Sequence, residues 1–385
     1  MLLSELEALA AENKIPRVER THYINNHIHT DRSFSPYTPT SAVYTAYQNG
    51  LATAGIMDHD TVDGAEEFIE AGRLIGLPVT VGVECRVDMS ATPFADRRLN
   101  NPDQIACAYV AMHGIPHASL KDVDAFFAPF RCQRNIRNRE MVSRIDALVK
   151  PFGLSLDFDT DVLPLARASV TERHILFALT KKITALYDTP EKVIDFLKNT
   201  MGIAVSSKAE ANILAGRETP AFYEYDILGV LKSDMVSKFY IPATKELPSL
   251  EEFLAMVRRA GGISAYAYLG DVTSSVTGDK KAQTFEDAYL DELFDYLEKV
   301  GFDAVTYMPT RNTAAQLDRV MALCRQHSFF QISGEDINTP RQSFICKAYD
   351  DPKFYHLIDA AYTLIEYERI AAIDMKAARA LIHKN

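Results

Sequence analysis

The stretch HYINNHIH (22–29), taken with LATAGIMDH (51–59) and PVTVGVECRV (78–87), decides how this chain folds. Each is a short run rich in apolar or β-branched residues, and each carries polar, potentially chemical groups in its C-terminal half. Between them, PTSAVYTAYQNG (39–50) and GAEEFIEAGRLIG (64–76) have helical spacing and end on glycine. A β-α-β-α-β order implies parallel strands joined by right-handed crossovers.

Working outward, IACAYVAMHGI (105–115) reads as a fourth strand. The last third returns to the same rhythm. Helical patterns at 249–260, 284–299 and 313–327 precede the apolar runs GGISAYAYL (261–269), AVTYMP (304–309) and FFQISGED (329–336), and a last helix covers roughly 353–368. From about 118 to 245 the patterns are helical, including KDVDAFFAPF and RNREMVSRIDALVK, and strand signals are nearly absent. The expected organisation is an α/β barrel assembled from 1–117 and 246–385, interrupted by an α-helical subdomain at 118–245.

The 385 residues, 47% hydrophobic and 24% charged, suit a soluble protein with a sizeable core. A formal charge of −11 argues against a nucleic-acid or membrane-surface binder, since both present a basic face. Five scattered cysteines with no CxxC pair fit reduced thiols. The acidic, amphipathic N-terminus MLLSELEALAAENK reads as a surface helix and not a signal peptide, and no run is long enough to span a bilayer. A cytoplasmic location is expected.

The polar residues at predicted strand ends are His27 and His29, Asp58 and His59, Glu84, His113 and Asp336. Barrels of this class build their sites at the C-terminal ends of the strands. His27 and His29 are at i and i+2, so both imidazoles leave one face of a strand and can reach one centre. Asp58, His59 and Asp60 converge only where a strand gives way to a loop; Asp60 or Asp63 suits a cap for the next helix. Glu84 lies in an otherwise apolar run, where a carboxylate costs several kcal/mol unless paired or bound to a cation. It reads as a metal ligand or as a partner of Arg86, and Asp336 raises the same question.

HIHT(x)₂S, then DHDTVDG, then GVEC resemble the polymerase and histidinol phosphatase (PHP) family of metal-dependent phosphoesterases. RNIRNREMVSRIDALVKPFG, TERHILFAL and SGEDIN extend the likeness to the family's insertion-bearing branch, over 22–345. The resemblance implies a distorted TIM-like (β/α)7 barrel that binds one to three divalent ions (Mn, Zn or Fe) and hydrolyses a small phosphorylated substrate with a metal-bound hydroxide. By motif position it makes His27, His29, Glu84 and Asp336 ligands of one metal, with His59 and His174 serving a second and Glu84 bridging. The sequence departs from the family at several ligand positions. Phe34 and Ser35 stand where an aspartate or histidine is usual, Tyr268 replaces a histidine, and Asn338 replaces the last one; Asp58, His113, Tyr268 and Asn338 are expected as further ligands or as supports of the ligands. The fourth-strand ligand falls on Tyr109 or His113.

His174 also suits a packed core histidine, and His113 a strand cap. His117, His327, His356 and His383 read as surface residues. Arg131, Arg134, Arg137, Arg139 and Arg144 form either a solvated helix face or, in one or two members joined by Arg173, a phosphate-recognition set. Arg134 and Arg173 are the substrate-phosphate candidates. The alternatives to a phosphoesterase are an amidohydrolase-like C–N hydrolase and a degenerate barrel that binds metal or a phosphorylated ligand without turnover.

Overall fold

The computed structural model describes residues 1–272 and 283–383. Its centre is one curled sheet of seven strands in chain order: β1 (Ile24–Ile28), β2 (Thr53–His59), β3 (Val79–Asp88), β4 (Cys107–His113), β5 (Ile263–Ala267), β6 (Ala304–Thr306) and β7 (Phe330–Ile332). β1–β3 are parallel, as are β5–β7, and β4 is antiparallel to both its neighbours. The reversal follows from the connection before it. Residues 89–106 contain no helix, and a parallel return normally needs a crossover of a dozen residues or more, usually helical.

Before β1 lies α1 (Leu3–Ala11), the expected N-terminal helix. The crossovers of the first half are α2 (Pro39–Gln48) and α3 (Ala65–Ile75). Thr38 caps α2 by accepting from the Ser41 amide, and Gly76 ends α3 at φ 68°, where a side chain would be strained. The chain after β4 forms five α-helices before it returns toward the sheet: α4 (Leu120–Val149), α5 (Glu172–Leu186), α6 (Pro190–Asp195), α7 (Ser207–Leu214) and α8 (Pro220–Phe239). The second half is flanked by α9 (Leu250–Ala260), α10 (Leu290–Val300), α11 (Ala314–Gln326), α12 (Tyr355–Ala371) and α13 (Met375–Ile382). Two segments expected as separate helices are one: α4 runs straight through Pro129. No helix among the described residues is long and apolar enough to cross a membrane.

The two largest apolar clusters among the described residues lie in different parts of the chain, and a smaller one packs Ile263 and Ile332 of the sheet against Leu364 and Tyr367 of α12. One of the two large clusters packs Phe68, Phe253 and Phe294 of the flanking helices against Ile24, Val81 and Tyr266 of the sheet. The other is built almost wholly within α4–α8 around Ile145, Leu179 and Leu231. Phe34, from the loop after β1, is buried in that second core. It holds φ at 108°, a region that costs a phenylalanine of order 1–3 kcal/mol. His327, expected at the surface, is buried, bonded through Nδ1 to Glu298 at 2.6 Å and stacked on Phe329.

The segment after β7 returns to the first strand. Ile337 bridges Ile28 in parallel, with its amide donating to the His27 carbonyl and its carbonyl accepting from the His29 amide. Asn25 and Asn26 donate side-chain bonds to the Glu335 and Ser333 carbonyls at 3.0 and 2.8 Å. Gly334 makes the approach possible: a Cβ there would sit 2.6 Å from the His27 amide nitrogen. Asp336 is thereby laid beside the two histidines of β1.

Candidate metal centre

Five of the six ligand candidates meet. The groups His27–His29–Asp336 and His29–His59–Glu84 each place one ligand atom per residue within 4.8 Å of the others. His59 and Glu84 are register partners on β2 and β3. Glu84 Oε1 lies 3.5 Å from His27 Nε2, 3.3 Å from His29 Nε2 and 3.1 Å from His59 Nδ1. Asp336 Oδ1 is 3.2 Å from His29 Nε2.

The orientation of His29 is set from behind. Its Nδ1 lies 3.3 Å from the Ser33 hydroxyl, which donates to Asp58 Oδ1 at 2.6 Å. Asp58 also accepts from the Thr30 amide at 2.8 Å and the Thr30 hydroxyl at 2.6 Å. With Ser33 donating to Asp58, its oxygen is left to accept from His29 Nδ1–H. In the neutral ring the proton is then on Nδ1, which leaves the Nε2 lone pair facing the two carboxylates. Asp58 thus faces away from the cluster and supports it. Ser33, the serine of the HIHT(x)₂S pattern, carries a role that its presence in that pattern did not reveal.

The charge balance fits a cation. His27 Nε2 and His29 Nε2 are buried and have no hydrogen-bond partner among the described residues, despite carboxylate oxygens 3.2–3.5 Å away. Burial works against charging His29, yet nearby Asp336 and Glu84 push it up to about 10. Burial would likewise raise Glu84, but His59 and His27 hold it well below the usual carboxylate range. His59 is driven down to about 3 by burial, which outweighs Glu84. Imidazole nitrogens and ionised carboxylates converging in a buried space are a donor set for a borderline divalent metal, which would displace the proton that Asp336 and Glu84 draw onto His29. The two groups share His29, and its Nε2 has one lone pair, so one cation at a time takes it.

The remaining candidates lie around this centre. Asn338 donates to Asp336 Oδ1 and is itself held by Gln342, so it braces a ligand candidate. His113 is buried on β4, one inward-facing position below Ala111, the partner of Glu84, and its Nε2 has no partner among the described residues. Burial takes it down to about 3. Tyr109, at the other register of the fourth-strand motif, pairs with Arg86 across β3–β4 and has its ring 6.2 Å from that of His59. His174 lies at the start of α5, where Nδ1 accepts from the Thr171 amide at 3.0 Å and the ring meets Phe34 edge-on at 5.0 Å. It belongs to neither ligand group among the described residues.

Tyr268 corrects an expectation. It points away from the centre into the helix-packed core and donates to Asp287 at 2.7 Å, because alternation on β5 turns its neighbour Ala267 inward instead. Asp60 and Asp63 do not cap α3, whose N-cap is Gly64. Asp63 pairs with Arg32, and Asp60 pairs with Arg134 at 2.6 Å.

Of the basic run, Arg139 and Arg144 are solvated, whereas Arg134 and Arg137 are buried. Arg137 binds Glu172 at 2.6 Å and Glu246 at 2.5 Å, and Arg86 joins that network through Glu246 at 3.3 Å, so it is no partner of Glu84. Arg173 makes no ion pair among the described residues, and its charge bears on both His59 and Asp336.

No protein-family model matches the sequence, and no curated protein matches it. Solved structures do. A candidate metal-dependent phosphoesterase from Bifidobacterium adolescentis aligns over 89% of this chain and 97% of its own, with TM-score 0.55 and 22% identity. An amidohydrolase from Chromobacterium violaceum, solved with bound sulfate and no metal, aligns over 88% and 96%, with TM-score 0.55 and 16% identity. The chain shares its α/β fold, a curled sheet surrounded by helices, with these two proteins.

Proposed function

We propose that this chain is a metal-dependent phosphoesterase of the PHP type that hydrolyses a small phosphate monoester. The observation that carries the reading is the pair of overlapping ligand groups on His29, with the orphaned Nε2 atoms of His27 and His29 turned toward ionised carboxylates. His27, His29, Glu84 and Asp336 would hold one cation, and His59 with Glu84 would contribute to a second. Bound divalent ions supply positive charge for phosphoryl oxygens and lower the pKa of a water to near neutrality.

The chain's own groups do the rest. Ser33 and Asp58 hold His29 in the ligating tautomer. Asn338 fixes the Asp336 carboxylate. Arg173, which makes no ion pair among the described residues, would offer a forked cation to a substrate phosphate. An anion-seeking arginine beside the centre favours a phosphorylated substrate over the neutral amide of a C–N hydrolase. The second reading, a C–N hydrolase, draws on the likeness to the Chromobacterium violaceum amidohydrolase. The sulfate in that protein has the shape and charge of a phosphoryl group.

The test is a panel of phosphate monoesters and cyclic amides offered to metal-free protein with Mn, Zn or Fe restored. Phosphate release that depends on added metal is expected. Amide cleavage without phosphate release would overturn the assignment in favour of the second reading, and inertness toward both with tight metal binding would leave a binding protein.

A further inference from the structure

We propose that Arg134 is a positioning residue for His59, through Asp60, and not a substrate-binding arginine. This rests on the two-cation reading above. His59 is the last residue of β2, and the chain turns at Asp60, which holds φ at 54°, in the left-handed region. Aspartate tolerates that conformation better than most residues, but it is costly unless its surroundings impose it.

Helix α4 imposes it. Arg134 Nη1 meets Asp60 Oδ2 at 2.6 Å, and Arg131 Nη1 donates to the Asp60 carbonyl at 2.8 Å. Asp124 accepts from the Thr61 hydroxyl at 2.9 Å and pairs with Arg131 at 2.8 Å. Positions 124, 131 and 134 are spaced seven and three apart, so one face of one helix makes every contact. From the other side the Asp60 amide donates to the Glu84 carbonyl at 2.9 Å. The residue following His59 is therefore gripped on its N–H, its C=O and its side chain.

A buried ion pair contributes little net stability, because desolvation offsets the attraction, and its best-attested use is to fix register. Arg134 and Asp60 are both almost fully buried. One terminal nitrogen of Arg134 is taken by Asp60 at 2.6 Å and the Ser169 hydroxyl at 3.4 Å, and although Nε is buried without a partner among the described residues, the charge is neutralised by the Asp60 carboxylate. The cost of the pair is justified by what adjoins it, an imidazole whose Nδ1 must stay 3.1 Å from Glu84 Oε1.

The experiment uses full-length protein carrying Arg134→Met, with Arg134→Lys as the rescue. Ring-labelled histidine NMR of metal-free protein, with His59 assigned through His59→Gln, reads its position directly. Titration with Co or Mn reads the affinity of each cation. The expected result for Arg134→Met is a displaced His59 signal, unmoved His27 and His29 signals, and a second cation bound about 10- to 100-fold more weakly, the usual cost of losing an outer-shell support. The first cation stays within twofold, and Lys restores most of both effects. An unmoved His59 signal in a folded Arg134→Met protein overturns the proposal, as does equal weakening of both cations that Lys does not rescue. If the parent protein takes only one cation, the two-cation reading fails, and the His59 signal still decides the role of Arg134.

Discussion

Replacing Asp58 by asparagine tests whether the groups behind His29 control metal binding. The carboxylate accepts three hydrogen bonds, from the Thr30 amide, the Thr30 hydroxyl and the Ser33 hydroxyl. Asparagine keeps one oxygen for the Thr30 amide and Ser33, and the Thr30 hydroxyl can turn to accept from its NH2. Shape is preserved while the charge is lost. A bond to a charged group is worth about 1.5–3 kcal/mol against about 1 for a neutral one, so Asp58→Asn should destabilise the metal-free fold by about 2 kcal/mol. The larger consequence is at the metal. With a neutral acceptor behind it, Ser33 no longer polarises His29 Nδ1–H, and the Nε2 donor weakens. Loss of such support costs 10- to 100-fold in affinity, or about 1.4–2.7 kcal/mol. Competition with a chromogenic chelator measures the dissociation constant, and thermal unfolding measures the fold. Ser33→Ala should weaken binding similarly, and the double variant no more than the worse single one, because both cut the same relay. A dissociation constant for Asp58→Asn within twofold of the parent would show that the relay does not govern His29.

Other outcomes follow from the same geometry. His29→Ala and Asp336→Ala should each abolish metal-dependent phosphatase activity and tight metal binding while circular dichroism still reports a folded protein; full activity in either would remove the first site. Arg173→Met should raise KM for a phosphate monoester about 10-fold or more with metal content unchanged, since one charge-assisted contact is lost; an unchanged KM would exclude it from the substrate. Glu286, buried and accepting from the Leu269 and Gly270 amides, is pushed up by burial from 4.5 to about 7. Its folded state holds the proton more tightly than the unfolded chain, so this group contributes a loss of stability as pH rises from 4.5 to about 7, worth about 3 kcal/mol. Denaturant unfolding at pH 5 and 7.5 should show that loss shrinking in Glu286→Gln, and an identical pH dependence in both proteins would refute it.

The local signals in the sequence were strong where the period of hydrophobicity was regular. The strands around His27, His59 and Glu84 and the helices between them followed from alternation and glycine stops, and so did the suspicion of a metal. Strand spacing alone turns His27 and His29 to one side, and a lone carboxylate in VTVGVECRV demands a cation or a partner wherever the strand is buried. The mostly helical character of the middle third was equally readable.

Relations between distant segments decided the rest. That Asp336 joins the histidines depends on a single bridge between Ile28 and Ile337 and on a glycine at 334 that lets two backbones touch. That β4 reverses depends on a helix missing from the preceding connection. Arg134 looked like a free cation because a helix face shows only spacing, and whether a guanidinium is solvated or spent on Asp60 depends on what packs over it. Tyr268 and Asp58 turned from candidates at the metal into a core residue and a supporting one for a similar reason. Residue type and local period set which chemistry is available, because they act over a few neighbouring residues. Which atoms meet is set by tertiary packing, because bonds such as Ser33 to Asp58 and Arg134 to Asp60 cross 25 and 74 residues of chain.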